Sequence, residues 1–222
     1  MTVHLHPTFG LKDSIERRRA ARAFRPDDIP DVILEEIFRL GVRSPSGYNL
    51  QPWRFVVLRS ATSKAKLQAC AFDQPQITQA PVVIICCGDR AAGESKNIEA
   101  VIHLGLEHDA ITPDYAEVMR QQIPAMFVQQ PSFASLETWT NRHTMIAVAH
   151  MMIVAESFGV DSCPMEGFVG AKVKEAFNIP ATVDVCCLLC LGYATDPIKK
   201  FGGRFAHNQV CFSEEYGAPF LL

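Results

Sequence analysis

No stretch of eighteen apolar residues occurs, so no membrane-spanning helix is expected. There is no excess of basic charge: 21 Lys and Arg face 24 Asp and Glu, a net charge of -3. That gives no general attraction to nucleic acid. The first ten residues, MTVHLHPTFG, lack a basic region followed by an apolar run. A secretory leader is therefore not expected, and the cytoplasm is the expected location. Neither G-x-G-x-x-G nor G-x-x-x-x-G-K-[ST] is present, which excludes the two common glycine-rich phosphate cradles. Ser44 and Ser46 stand outside any G-x-S-x-G elbow, and the histidines form no H-E-x-x-H. No C-x-x-C is followed by a second such pair. Cys86, Cys87, Cys186, Cys187 and Cys190 instead lie in apolar runs, where adjacent strand residues point to opposite faces. They read as small core residues, and no metal site is expected. Internal repeats, low-complexity tracts and clear linkers are also missing.

What is present suits one globular domain over 1–222. The chain is 48% apolar and 20% charged, long enough for a substantial core. Helices are expected over 14–22, with Asp13 or Ser14 as cap, and over 30–42, with Pro30 in the first turn. Apolar periodicity predicts further helices over 63–72, 95–109, 112–123, 135–158 and 169–179. Strands are expected over 54–60, 80–89 and 181–194, the second of the buried central kind. VDSCPMEGF, 160–168, reads as a loop. Residues 109–134, rich in Gln, Met and Phe, suit either a lid over a pocket or a surface excursion. The tail over 202–222 carries Phe212, Phe220, Leu221 and Leu222, which need cover from their own domain or from a partner. Helices on both faces of a sheet with greasy central strands make an α+β or α/β domain.

Four clusters carry candidate chemistry. In ERRRAAR, Arg18 and Arg22 are four apart and would share a helix face, with Arg19 beside it. Together they suit a bidentate phosphate clamp or a solvated basic face. SPSGYNLQPW combines hydroxyls, the amides of Asn49 and Gln51, and two aromatics. It suits a planar heterocycle with donors and acceptors, or a turn entering a strand. CPMEGF offers accessible backbone N–H groups around Glu166 and Gly167, or a helix cap. Arg204 follows two glycines, near Lys199 and Lys200, as a second local positive cluster.

Taken together, RRRAARAF (17–24), SPSGYNLQPWRFVVL (44–58), APVVIICCGD (80–89), CPMEGF (163–168) and GGRFAHNQVCFSEEYG (202–217) resemble the nitroreductase family of flavoproteins. The resemblance spans almost the whole chain, and SPS-x-x-N-x-QPW is its most specific part. It implies an α+β three-layer sandwich, a mixed, mostly antiparallel sheet flanked by helices, in an intertwined homodimer with FMN at the interface. By this resemblance Arg18, Arg19, Arg22 and Arg204 would hold the phosphate and ribityl end. Pro45, Ser46 and Gly47 would reach the neighbouring subunit's flavin, and Asn49 its own. Gln76 would meet the pyrimidine edge, and His143 stands where many members carry a Gln. Pro164, Glu166 and Gly167 would face the ring, with a backbone N–H at N5, so no side chain is expected to be catalytic. Tyr48, Phe127, Phe133 and Trp139 would line the acceptor pocket. The implied activity is hydride transfer from NAD(P)H to nitroaromatic or quinone-like acceptors by a ping-pong scheme. Reduction of activated C=C bonds on the same scaffold, a flavin-destroying or dehalogenating activity, and a non-enzymatic ligand-binding domain are the alternatives. The chain departs from the family pattern at Ala20, Asp73 and Gly202, where Ser, Asn and Lys are usual.

Overall fold

In a computed structural model the described residues are 6–128, 135–195 and 199–220. The helices are α1 (Leu11–Arg17), α2 (Asp31–Gly41), α3 (Ala61–Ala69), α4 (Gln76–Gln79), α5 (Ser95–Glu107), α6 (Pro113–Val128), α7 (Leu136–Ser157), α8 (Gly170–Ala176) and α9 (His207–Val210). The strands are β1 (Trp53–Leu58), β2 (Val82–Asp89), β3 (Asp161–Met165) and β4 (Val183–Gly192). They form one sheet in the order β1-β2-β4-β3, with every neighbouring pair antiparallel. Among the described residues the only parallel contact is the single bridge between Ala20 and Ser162.

Alternation along β2 splits the core into two layers. Val83, Ile85 and Cys87 pack with Leu67 of α3, Ile77 of α4 and Val173 of α8. Val82, Ile84 and Cys86 face α2 and α7, meeting Leu34, Ile37, Val148, Met151 and Ala155. This is the expected sandwich. A third cluster joins Leu50 to α5 and α6. A bulge between Cys86 and Cys87 shifts the β2–β4 register. Burial pushes the thiols of Cys87 and Cys186 up to about 12, so they stay protonated core residues.

Three local expectations are corrected. The first helix begins at Leu11 and ends at Arg17, so Arg18 and Arg22 do not share a helix face. Ser14 lies inside that helix, buried, with Oγ donating to the Gly10 carbonyl, while Gly10 takes the cap position. Beyond Arg17 the backbone is captured by the sheet: the Ala21 N–H donates to the Ser162 carbonyl at 3.1 Å. VDSCPMEGF is not all loop, because Asp161–Met165 forms β3 against β4. Ladder pairing there overrides the local turn chemistry of Ser and Pro. Pro164 is tolerated because β3 is an edge strand of the four. α6 also runs past the expected end at 123, through Pro124 to Val128. Ala116, Met119 and Ile123 bury it against α5. Residues 129–134 of the 109–134 segment, which include Phe133, lie outside the described residues.

α7 ends where Gly159 takes a φ of +75°, a conformation suited to glycine. Among the described residues no helix is long and apolar enough to cross a membrane.

Candidate functional site

The N-terminal arginines gather along the edge of the sheet. Burial raises the Cys163 thiol, and Arg22, Lys199 and Arg18 oppose that rise. Arg18, Arg19 and Arg204 line a cavity of about 490 Å³ with Ile15, Glu16 and Phe201. The Phe201 ring has the guanidinium of Arg19 at 4.9 Å and that of Arg204 at 5.3 Å. These are cation–π distances, and they tie the tail to the end of α1.

The three cavity arginines are not equivalent. Arg19 Nη1 donates to the carbonyls of Glu16 (2.7 Å), Arg17 (3.1 Å) and Arg18 (2.9 Å). It satisfies the open C-terminus of α1, where a cation is favoured. Arg204 gives Nη1 to the Gly203 carbonyl at 2.6 Å and bonds no other described residue. Behind them Arg17 Nε lies 3.6 Å from Oε1 of the buried Glu156. Burial pushes the Glu156 carboxyl above its usual range, Asp161 adds to the rise, and Arg17, Arg18 and Arg19 oppose it.

At the other end of β3 the chain turns through Glu166 and Gly167, both exposed. The Glu166 carbonyl accepts from the Phe168 N–H at 3.0 Å, and the Val169 N–H donates to the Cys70 carbonyl at 2.8 Å. Gln74 Nε2 donates to the Gly167 carbonyl at 2.7 Å and to the Ala71 carbonyl at 3.1 Å. Gln76, buried on α4, donates Nε2 to Gln74 Oε1 at 3.2 Å. A Cβ on Gly167 would sit 2.9 Å from Gln74 Nε2, so the amide packs closely onto this glycine. The Gly167 N–H donates to no described residue. Pro164 is half-buried in β3, between the arginine cluster and this turn.

The SPSGYNLQPW loop lies elsewhere. The Asn49 N–H donates to the Ser46 carbonyl at 2.9 Å and the Leu50 N–H to the Gly47 carbonyl at 3.1 Å. Ser46 Oγ accepts from the Gln51 N–H at 3.0 Å. Tyr48, Asn49 and Gln51 hold φ of 50°, 55° and 46°, the left-handed region that non-glycine residues enter at a cost. Asn97 Nδ2 anchors the loop by donating to the Leu50 carbonyl at 3.0 Å. Tyr48 Oη donates to Gln122 Oε1 at 3.2 Å, tying the loop to α6. Tyr48 and Asn49 border a 220 Å³ hollow with Val101, Ile111, Tyr115 and Met119.

Beside Gly47 stands an aromatic column. Phe127 meets Trp139 edge-on at 5.3 Å and 83°. The Trp139 indole lies 3.2 Å from where a Gly47 Cβ would be, and His143 Nε2 3.8 Å. Burial lowers the His143 pKa, the Pro45 carbonyl opposes this, and Arg142 adds to the lowering. His143 Nδ1 is buried without a hydrogen-bond partner among the described residues.

The expected site residues thus fall into two groups. Arg18, Arg19, Arg22, Pro164, Glu166, Gly167, Gln76 and Arg204 follow the β3 edge and its turn. Pro45, Ser46, Gly47, Tyr48, Asn49, Phe127, Trp139 and His143 gather around the loop before β1. No hydrogen bond, ion pair or ring contact among the described residues joins one group to the other. Sequence reasoning missed Gln74, Phe201 and Glu156. Only Gln74 carried a signal, an amide two residues before Gln76 in the turn leading to β2.

A family model described as the nitroreductase family matches residues 15–193. The chain belongs to the nitroreductase family. A relative named NADH dehydrogenase, from Thermus thermophilus, is 30% identical over 190 residues, covering 86% of this chain and 89% of that one. A protein of Bacillus subtilis named as an NAD(P)H nitroreductase is 31% identical over 167 residues, covering 75% and 80%. Among nitroreductase-fold structures, one described as a nitroreductase in complex with FMN, from Exiguobacterium sibiricum, superposes with a TM-score of 0.85. It is 24% identical and covers 94% of this chain and 99% of that one.

Proposed function

We propose that this nitroreductase-family chain is a cytoplasmic, FMN-dependent oxidoreductase that works as a homodimer. It takes hydride from NAD(P)H and reduces small nitroaromatic or quinone-like acceptors by a ping-pong scheme. The observation that carries this reading is the β3 edge. A cavity bordered by guanidiniums stands near one end, and a glycine N–H without a described acceptor stands at the other. The residues fit FMN. Arg18, Arg22 and Arg204 suit its phosphate. Gln76 offers amide chemistry to the pyrimidine edge, and the Gly167 N–H offers a donor to N5. Arg19 supports them by holding the end of α1.

Bound FMN supplies the carrier for the two electrons. The chain binds and orients it, and keeps one ring face open to nicotinamide and acceptor in turn. Tyr48, Phe127 and Trp139 shape the acceptor pocket. Homodimerisation is supported by the separation of the two residue groups within one chain, and by the tail. Phe205 and Tyr216 are 76% and 94% exposed there, far more than such side chains are when covered. Across a two-fold axis the Pro45–Gly47 loop and His143 of one subunit complete the site of the other. The unpartnered His143 Nδ1 is suited to accept a hydrogen bond there.

The decisive experiment is the visible spectrum of the purified protein, followed by anaerobic addition of NADH and of NADPH. A yellow protein bleached by either supports the reading. A protein that stays colourless after incubation with FMN and desalting overturns it. Turnover of nitroaromatic, quinone and enone acceptors side by side separates the reading from reduction of activated C=C bonds.

A further inference from the structure

We infer that Gln74 is a positioning residue that locks the turn at Gly167 into a donor-only face. The inference rests on the FMN reading above and concerns a side chain with no role assigned there. Both carbonyls of the turn are occupied: Glu166 by the Phe168 N–H at 3.0 Å, Gly167 by Gln74 Nε2 at 2.7 Å. The orientation of the Gln74 amide is set by its neighbours. Its nitrogen faces two carbonyls, Gly167 and Ala71, which only accept. Its oxygen must then face a donor, and Gln76 Nε2 is there at 3.2 Å. Each amide therefore determines the orientation of the next. The chain of amides runs from buried Gln76 to the exposed turn.

The consequence is electrostatic. With its carbonyls directed at Gln74 and the Phe168 N–H, the turn leaves the Gly167 N–H as the group free to meet a ring lying against it. A fixed donor favours electron density on the ring edge it faces, because its dipole is already aligned. Releasing the Gly167 carbonyl lets the 167–168 peptide rotate and mixes acceptor with donor at the same place. In the native chain the Gly167 carbonyl is held by Gln74 Nε2 at 2.7 Å. Gln74 thereby tunes the flavin through Gly167 without touching the reacting atoms.

The test uses full-length FMN-loaded protein carrying Gln74→Met, which keeps length and removes both donors. Gln74→Glu is the second variant: it keeps an acceptor for Gln76 but places a carboxylate against the Gly167 carbonyl. FMN dissociation constant, thermal midpoint and two-electron midpoint potential are measured for each. The expected result is FMN affinity within about fivefold of the parent, because the arginine end is untouched. The oxidised-to-reduced balance of the bound flavin shifts about tenfold toward oxidised, a potential lower by about 30 mV for a two-electron couple. A merely structural role would lower the thermal midpoint and leave the potential of the remaining holoprotein unchanged. Unchanged potential in whichever variant folds and binds FMN overturns the inference, as does failure of both to fold. Failure of the parent itself to bind FMN sinks the functional reading instead, and the two failures are told apart by the parent's colour.

Discussion

Trp139 and His143, one turn apart on α7, hold their rings with centroids 4.3 Å apart. Burial first, and the nearby Arg142 second, disfavour a charged imidazole, and the His143 pKa lies below its ordinary value of 6.5. His143 is therefore harder to protonate than a free imidazole, and its Nδ1 bonds no described residue.

The first prediction concerns that charge. A depressed histidine pKa means the unfolded chain binds more protons in the window below 6.5. Its contribution to stability is present above 6.5 and lost as pH falls through the folded-state value. In an NMR titration the His143 ring resonances should move below 6.5. His143→Gln should flatten the acid limb of the stability curve between that value and 6.5. A His143 midpoint at or above 6.5 would contradict the burial argument.

Gly88 tests the packing of β2 on α7. A Cβ there would meet Thr140 Oγ1 at 2.9 Å, Thr140 Cβ at 3.0 Å and the Thr140 backbone carbon at 3.2 Å. Backbone cannot swing aside as a side-chain tip can. Gly88→Ala should therefore cost about 1–3 kcal/mol, read as a lower urea midpoint at unchanged slope. Gly202→Ala, which meets nothing within 4 Å, should leave the midpoint unchanged.

Arg204 and Arg19 should separate by phenotype. Arg204→Ala removes a guanidinium from the cavity and should weaken FMN roughly ten- to a hundredfold, the worth of about 1.5–3 kcal/mol for charged hydrogen bonds. Apo stability should hardly change. Arg19→Ala opens the three carbonyls at the end of α1 and should lower apo stability by about 1 kcal/mol. Titration of FMN with thermal melts of both apo variants checks this, and equal loss of apo stability would refute it.

Phe127 packs against Gly93 and Trp139. Phe127→Ala should change the ratio of nitroaromatic to quinone turnover by roughly five- to tenfold while FMN content stays that of the parent. Steady-state kinetics on both acceptors decide it, and an unchanged ratio removes Phe127 from the acceptor pocket.

Much of the fold was legible along the chain because its cause is local. The spacing of Ile33, Ile37, Leu40 and Gly41, with Leu34 beside them, marks α2, and the unbroken run VVIICC marks a strand buried on both faces. Gly159 stops α7 where a positive φ is needed. β3 was hidden because Ser, Pro and Gly around it signal a turn, while its strand character comes only from pairing with β4. The arginines were expected on one helix face, and the structure overturns that, because α1 ends at Arg17. Their helical spacing yields to the bridge between Ala20 and Ser162, a contact set by another part of the chain.

The sequence alone therefore determined the run of core strands and, through short motifs that resemble the nitroreductase family, the expected α+β class and flavin ligand. These follow from periodicity, composition and short motifs, which act within a few residues. Tertiary structure decided that Arg19 and Arg204 line one cavity, with Arg19 Nη1 bonded to the end of α1 and Arg204 Nη1 only to the neighbouring Gly203 carbonyl. It also decided that Gln74 reaches Gly167, 93 residues away, and occupies its carbonyl. No local rule carries that information, because a hydrogen bond between distant segments exists only once packing of the sheet and α3 has brought both groups within 3 Å.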